Sequence, residues 1–268
     1  HYGKEELQNI TPTWALKDIE GSTVAEGHLE PQNIALGNGI KLGSISHTFA
    51  QENEPRKLVL EVTVDSFTNR WDLWVYPRNL ANMSNNTVRH VSALDANTLN
   101  YLQEGGNVLW TLGKGKVKAE MGGEVGVGFS SIFWNTAWTE NQKPHTLGIL
   151  CDPEHAALQQ FPTEFHSNWQ WWDAMSHSDV VNLNELSNKI QPIVRVIDDW
   201  VTNRSLGLLF EVKVGNGKLL ISGIDLKNGL DQRLEARQLL SSLISYMESN
   251  AFNPTILLSA EEVTSIVK

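Results

Sequence analysis

The densest grouping of residues able to do chemistry runs from His166 to Trp172, inside Phe161-Pro162-Thr163-Glu164-Phe165-His166-Ser167-Asn168-Trp169-Gln170-Trp171-Trp172. Trp169, Trp171 and Trp172 cannot share one face: on a helix Trp169 and Trp172 lie on one side, and Trp171 sits about 100° from Trp172. At least one indole is therefore expected half-exposed, where its flat face and N–H suit stacking on a sugar ring. His166, Asn168 and Gln170 would supply hydrogen bonds, and Asp198, Asp199 and Trp200 from another element would complete a pocket at a strand end. Burial in the core or at a domain junction competes with that reading and is the commoner fate of large aromatics. Trp71, Trp74 and Tyr76 form a second cluster on one alternating strand, with Trp74 and Tyr76 facing away from the core. For these two, packing against another domain is the preferred account.

Other candidate sites each fail a requirement. Retaining glycoside hydrolysis needs two carboxyl groups about 5–5.5 Å apart, normally on barrel strands. Asn184-Glu185 imitates such an acid but follows only a short Val180-Val181-Asn182-Leu183 run, with no repeated βα pattern around it. A cysteine nucleophile needs a tight strand-to-helix elbow and a nearby base. Cys151, in Leu147-Gly148-Ile149-Leu150-Cys151-Asp152-Pro153, has no glycine elbow, and the neighbouring carboxylate disfavours its thiolate. His145, His155, His166 and His177 do not fall at the spacing of a helical ligand pair, and no Asp-rich calcium loop is present, so no metal is expected. The run Gly122 to Gly128 lacks dinucleotide-loop spacing; Phe129-Ser130-Ser131-Ile132-Phe133-Trp134 continues as strand-like sequence, and no cofactor is expected.

Two kinds of scaffold must hold these residues. Lys57 to Asp65 alternates, with Leu58, Leu60, Val62 and Val64 on one face, and Arg70 to Pro77 repeats the pattern with Trp71, Leu73 and Val75 inward. With Thr13 to Asp18 and the turn at Gly37-Asn38-Gly39, short strands at this spacing predict an antiparallel sandwich over 1–78. Residues 79–88, rich in Asn and Ser, read as a linker. The period then changes. Val91, Leu94, Thr98 and Tyr101 fall at helical spacing, Gly105-Gly106 stops the helix, and Asn107 to Leu112 is a short apolar strand, the grammar of an α/β domain over 89–250. Strands are expected at 192–198, 206–212 and 218–224, with a hairpin at Gly215-Asn216-Gly217. Ala236, Leu240, Leu243, Ile244 and Met247 form one helical stripe. Residues 251–268 read as a C-terminal tail.

Composition narrows the partners. A formal charge of −10 leaves no basic footprint for nucleic acid or anionic lipid. No apolar run is long enough to span a membrane. One cysteine excludes an internal disulfide. Ten tryptophans without matching enrichment in Phe or Tyr are a first hint of carbohydrate. The opening His1-Tyr2-Gly3-Lys4 is neither a signal peptide nor an initiator methionine, so a piece of a longer polypeptide is expected.

Three stretches carry a family resemblance: Thr11 to Asp18 around Trp14, Gly37 to Ile45, and Arg70 to Pro77. Together they resemble the closing immunoglobulin-like β-sandwich of bacterial family 2 glycoside hydrolases, the β-galactosidase-like enzymes. The second half, carrying Phe161 to Trp172, resembles the flavodoxin-like α/β domain, similar to class I glutamine amidotransferases, that some of these enzymes append. The resemblance implies a non-catalytic accessory region: the catalytic carboxylates would sit on an upstream barrel of the same polypeptide, so no catalytic residue transfers to this chain. It also implies a parent hydrolysing O-glycosyl bonds, a periplasmic or extracellular location, and roles in domain packing, homo-oligomerisation or sugar binding. The alternative is a carbohydrate-binding module built on His166 to Trp172. Independent hydrolase chemistry ranks last.

Overall fold

In a computed structural model, described over residues 1–49, 53–80, 87–129, 140 and 142–268, the chain divides into two compact units, His1–Asn79 and Leu80–Lys268. The first is all strand: β1 (Leu7–Ile10), β2 (Thr13–Lys17), β3 (Thr23–His28), β4 (Gln32–Ile34), β5 (Arg56–Val64) and β6 (Phe67–Val75). Strands β3-β2-β5-β6 form an antiparallel sheet, and β1 pairs with β4. The alternation of β5 decides its faces. Leu58 is fully buried and Leu16 nearly so, while Glu61 points the other way and pairs with Lys17 and Arg70, both at 2.6 Å. Those two cations hold the Glu61 carboxyl below the usual carboxylate range. Gly27 stands opposite Trp14, and a Cβ there would lie 3.0 Å from the indole, so the ring lies flat over bare backbone.

Two aromatic assignments in this unit are corrected. Trp71 shares the face of Leu60, its register partner, yet is 48% exposed because β6 is the last strand among the described residues. Trp74 and Tyr76, expected on the exposed face, are half-buried, and the Lys57 ammonium lies over the Trp74 ring at 6.0 Å.

The second unit begins β7 (Val88–Val91), α1 (Ala96–Gln103), β8 (Asn107–Thr111), with α1 capped by Asp95, which accepts from the Thr98 N–H at 2.8 Å. The residues read as one helical run from Val91 thus divide between a strand and a helix. Then come β9 (Gly148–Cys151), α2 (Trp172–Ser176), β10 (Val181–Asn182), β11 (Val194–Ile197), β12 (Leu206–Val214), β13 (Gly217–Ser222), α3 (Leu234–Glu248), β14 (Leu257–Leu258) and α4 (Ala260–Thr264). The sheet runs β7-β8-β13-β12-β11-β9 and is mixed: β7, β8 and β13 are parallel, while β12, β11 and β9 alternate in direction. Val108, Trp110, Phe210, Val212 and Ile221 fill one face of it. The stripe on α3, from Ala236 to Met247, is buried as its spacing requires.

The segment expected as a tail belongs to this core. Strand β14 pairs in parallel with β12, a Ser259–Glu262 capping box starts α4, and Val263 and Ile266 are fully buried. These elements are too short for their periodicity to be legible. Of the expected linker, 81–86 lie outside the described residues, and Val88 already belongs to β7. No helix is long and apolar enough to cross a membrane among the described residues.

His90 in β7 hydrogen-bonds the Thr111 hydroxyl at 2.8 Å, and burial, reinforced by Lys227, lowers its pKa to about 4. A histidine held neutral in the fold but protonated near its ordinary 6.5 when unfolded removes stability as pH falls through that window. The expected outcome is a lower protection factor for the β8 amides, the observed rate corrected for the intrinsic pH dependence of exchange, at about pH 4 than at about pH 6.5. In His90→Gln that loss of protection should be smaller; an equal loss would contradict the assignment.

Candidate functional site

Strand β9 is the anchor of the candidate site. Its outer edge is lined by the chain around His166, which bridges Leu150, and the Cys151 N–H donates to the Phe165 carbonyl at 2.9 Å. At the head of the strand Gly148 has φ +139°, and a Cβ there would collide with the Ser167 hydroxyl. Bare backbone at this position lets the 165–167 segment close onto β9. Asn168 then caps a 3-10 turn, Trp169–Trp171, by accepting from the Gln170 N–H at 3.0 Å, and α2 follows directly.

This turn sorts the three indoles. Trp171 is fully buried, donates its indole N–H to the Thr163 hydroxyl at 2.8 Å and meets the Phe161 ring edge-on at 5.4 Å. It is a core residue, which corrects its place among the sugar-binding candidates. Gln170 is buried too, and its amide donates to the Pro162 carbonyl. Trp169 and Trp172 face outward, 55% and 63% exposed. Trp172 stacks on Phe129, with ring centroids 5.6 Å apart and planes within 6°. His166 is exposed and turned onto the Ser167 carbonyl at 3.0 Å.

On the other side of β9, Ile197 of β11 pairs with Gly148, which brings Asp198, Asp199 and Trp200 to the same end of the sheet. Both carboxylates point inward. Asp198 accepts from the backbone N–H of Arg204 at 2.7 Å and from its guanidinium at 2.9 and 3.1 Å, and this raises the Arg204 pKa. Asp199 accepts from the N–H groups of Val201 and Thr202 and from the Thr202 hydroxyl, each at 2.8 Å. Their role is to shape the turn that presents Trp200, which is 60% exposed. Asp198 and Asp199 are therefore corrected from ligand-facing groups to positioning groups. Phe129, expected to open a strand, instead backs Trp172, and nothing in the sequence ties the two rings together. The neighbouring 130–134, expected as strand, lie outside the described residues.

The remaining chemistry stays quiet. Burial and the adjacent Asp152 push the Cys151 thiol up to about 12, and it donates to the Glu164 carbonyl. At that value the thiolate needed for attack is scarce. His145 is buried, its Nδ1 accepting from the Gly126 N–H, and His177 pairs with Asp173 at 3.1 Å. Glu185 sits exposed on a 3-10 turn. Among the described residues no group of three or more His, Cys, Asp or Glu could hold a metal ion.

Fold and site define a two-unit protein: a β unit, then a mixed α/β unit whose sheet end carries an aromatic rim. The chain belongs to the family described as Domain of unknown function (DUF8487), whose model matches residues 89–268. The model described as Domain of unknown function (DUF8488) matches residues 1–77. A comparison with curated proteins finds no match.

Chemical denaturation separates the roles of these residues. Trp171→Ala is expected to cost about 3–5 kcal/mol through the cavity it leaves, and Trp172→Ala about 1 kcal/mol or less. Arg204→Met should cost about 3 kcal/mol by leaving the buried Asp198 charge without its cation, with only the backbone N–H of residue 204 still donating to it. Equal costs for the two tryptophans would overturn the division between core and rim.

Proposed function

We propose that the chain is a non-catalytic accessory region of a glycoside hydrolase, and that its second unit binds saccharide on the aromatic rim. The observation that carries the binding is Trp172, a mostly exposed indole whose plane is fixed by stacking on Phe129. An aromatic ring held in place before the ligand arrives loses little side-chain freedom when a sugar settles on it. Trp200, on a backbone turn clamped by Asp198 and Asp199, offers a second exposed ring. Trp169, on the turn that leads into Trp172, adds exposed aromatic surface. Asn168 contributes indirectly, by capping the turn.

The finer fold reading is an immunoglobulin-like first unit and an amidotransferase-like second one. The β7–α1–β8 unit with β13 parallel beyond it supports the second assignment, while antiparallel β12, β11 and β9 depart from an all-parallel flavodoxin-like sheet. An upstream barrel on the same polypeptide, a periplasmic or extracellular location and homo-oligomerisation belong to the same proposal, and rest on the sequence resemblance.

Affinity electrophoresis of the full chain through gels carrying plant and mucin polysaccharides tests the binding. At least one polymer should retard the wild type, and Trp172→Ala and Trp200→Ala should each restore most of the free mobility. Unretarded migration in every gel, or retardation indifferent to both substitutions, would contradict the proposal.

A further inference from the structure

The opposite end of β9 opens into a second, separate cleft of about 500 Å³. Its origin is a notch in the sheet. Strand β9 ends at Cys151 and β11 begins at Val194, which pair with each other, and Val194 pairs with Leu209 of β12. Strand β12 runs on past them, so Glu211 lies beyond the end of β11 and before the β14 pairing at Lys213. The volume lies within the range of about 300–1,000 Å³ usual for small-molecule sites.

The notch offers both donors and acceptors, and two of its polar groups, Glu211 and His155, are held in place. Glu211 is half-buried; one carboxylate oxygen accepts from the Tyr246 hydroxyl at 2.7 Å, and burial raises its pKa. His155 lies edge-on to Tyr246 with ring centroids 5.5 Å apart, and its Nδ1 accepts from the Ala157 N–H at 3.2 Å. That bond assigns the ring hydrogen to Nε2, so the imidazole offers a donor, and burial keeps it neutral by lowering its pKa. Arg195 is exposed on the wall, and no ion-pair partner holds its guanidinium among the described residues. Gln191 and Asp152 line the rim, and Pro192 and Leu150 supply apolar surface between them.

We infer that this notch is a binding site for a neutral polyhydroxylated ligand, a single sugar residue or chain end, distinct from the aromatic rim. Arg195, Asp152 and Glu211 bring groups of both signs to the one notch, which favours an uncharged guest able to meet both. Sugar hydroxyls both donate and accept: they can donate to Glu211 and Asp152 while accepting from Arg195, His155 and Gln191. An anionic guest would face those two carboxyl groups, and a cationic one the guanidinium. The inference deepens the carbohydrate reading given above and rests on it for the class of ligand.

Saturation-transfer NMR of the full chain with D-galactose, D-glucose, D-mannose and D-glucuronate tests it. At least one neutral sugar should give a signal that survives in Trp172→Ala and weakens about tenfold in affinity in Arg195→Ala and in Glu211→Gln. Glu211→Gln retains an acceptor for Tyr246, and Arg195 is exposed, so both variants should fold; an unchanged thermal midpoint checks this. No signal from any neutral sugar, tighter binding of glucuronate than of every neutral sugar, or a signal lost in Trp172→Ala and kept in Arg195→Ala would overturn the inference. Retardation by polysaccharide gels with no monosaccharide signal would refute the notch alone and leave the rim standing.

Discussion

The burial of Trp171 is the constraint on which the candidate site depends. A tryptophan side chain removes about 150–250 Å² from water when it is buried. Here the indole also satisfies its only donor, on Thr163, so it enters the core without leaving a polar group stranded. Once that ring is committed inward, the tight turn from Asn168 leaves Trp169 and Trp172 only the outer surface. Burying all three is not an option open to so short a segment. The exposed aromatic rim is thus the geometric remainder of one well-made core contact.

That contact needs the chain to approach β9 closely, and Gly148 permits it. With any side chain at that position the Ser167 hydroxyl would be displaced, and the positive φ of +139° would be strained. Ile197, pairing with the same glycine, carries the Asp198–Asp199 turn to the same end of the sheet. Buried carboxylates look like candidates for chemistry, but these two are buried and engaged by backbone N–H groups, the Thr202 hydroxyl and Arg204. A carboxylate engaged in this way orders a loop and is not presented to a ligand at the surface.

The sequence made some of this legible and concealed the rest for identifiable reasons. The alternation read over β5, the glycine-marked hairpin between β12 and β13 and the stripe on α3 mark a strand, a hairpin and a helix that the structure carries, although along β5 only Leu58 is fully buried. Trp71 was misplaced because alternation assigns a face and says nothing about whether a neighbouring strand covers it. The final residues passed for a tail because β14 has two residues and α4 five, below the length at which a period can be read. In the candidate site the need for at least one exposed indole followed from helical phase alone. Which indole it would be depended on Phe161, Thr163 and Phe129, contacts that only the fold supplies. The notch at Glu211 had no sequence signal at all, since it is created where strands of unequal length stop.

The account's central claim is that the outward tryptophans meet saccharide while the inward ones hold the core. Indole N–H resonances, assigned by single Trp→Phe substitutions and followed during titration with a polysaccharide fragment, test it most directly. The account predicts that the signals of Trp172 and Trp200 move saturably while those of Trp110 and Trp171, both buried, stay in place. Movement of the Trp171 signal with Trp172 and Trp200 unmoved, or no movement of any indole across plant and mucin fragments, would contradict it.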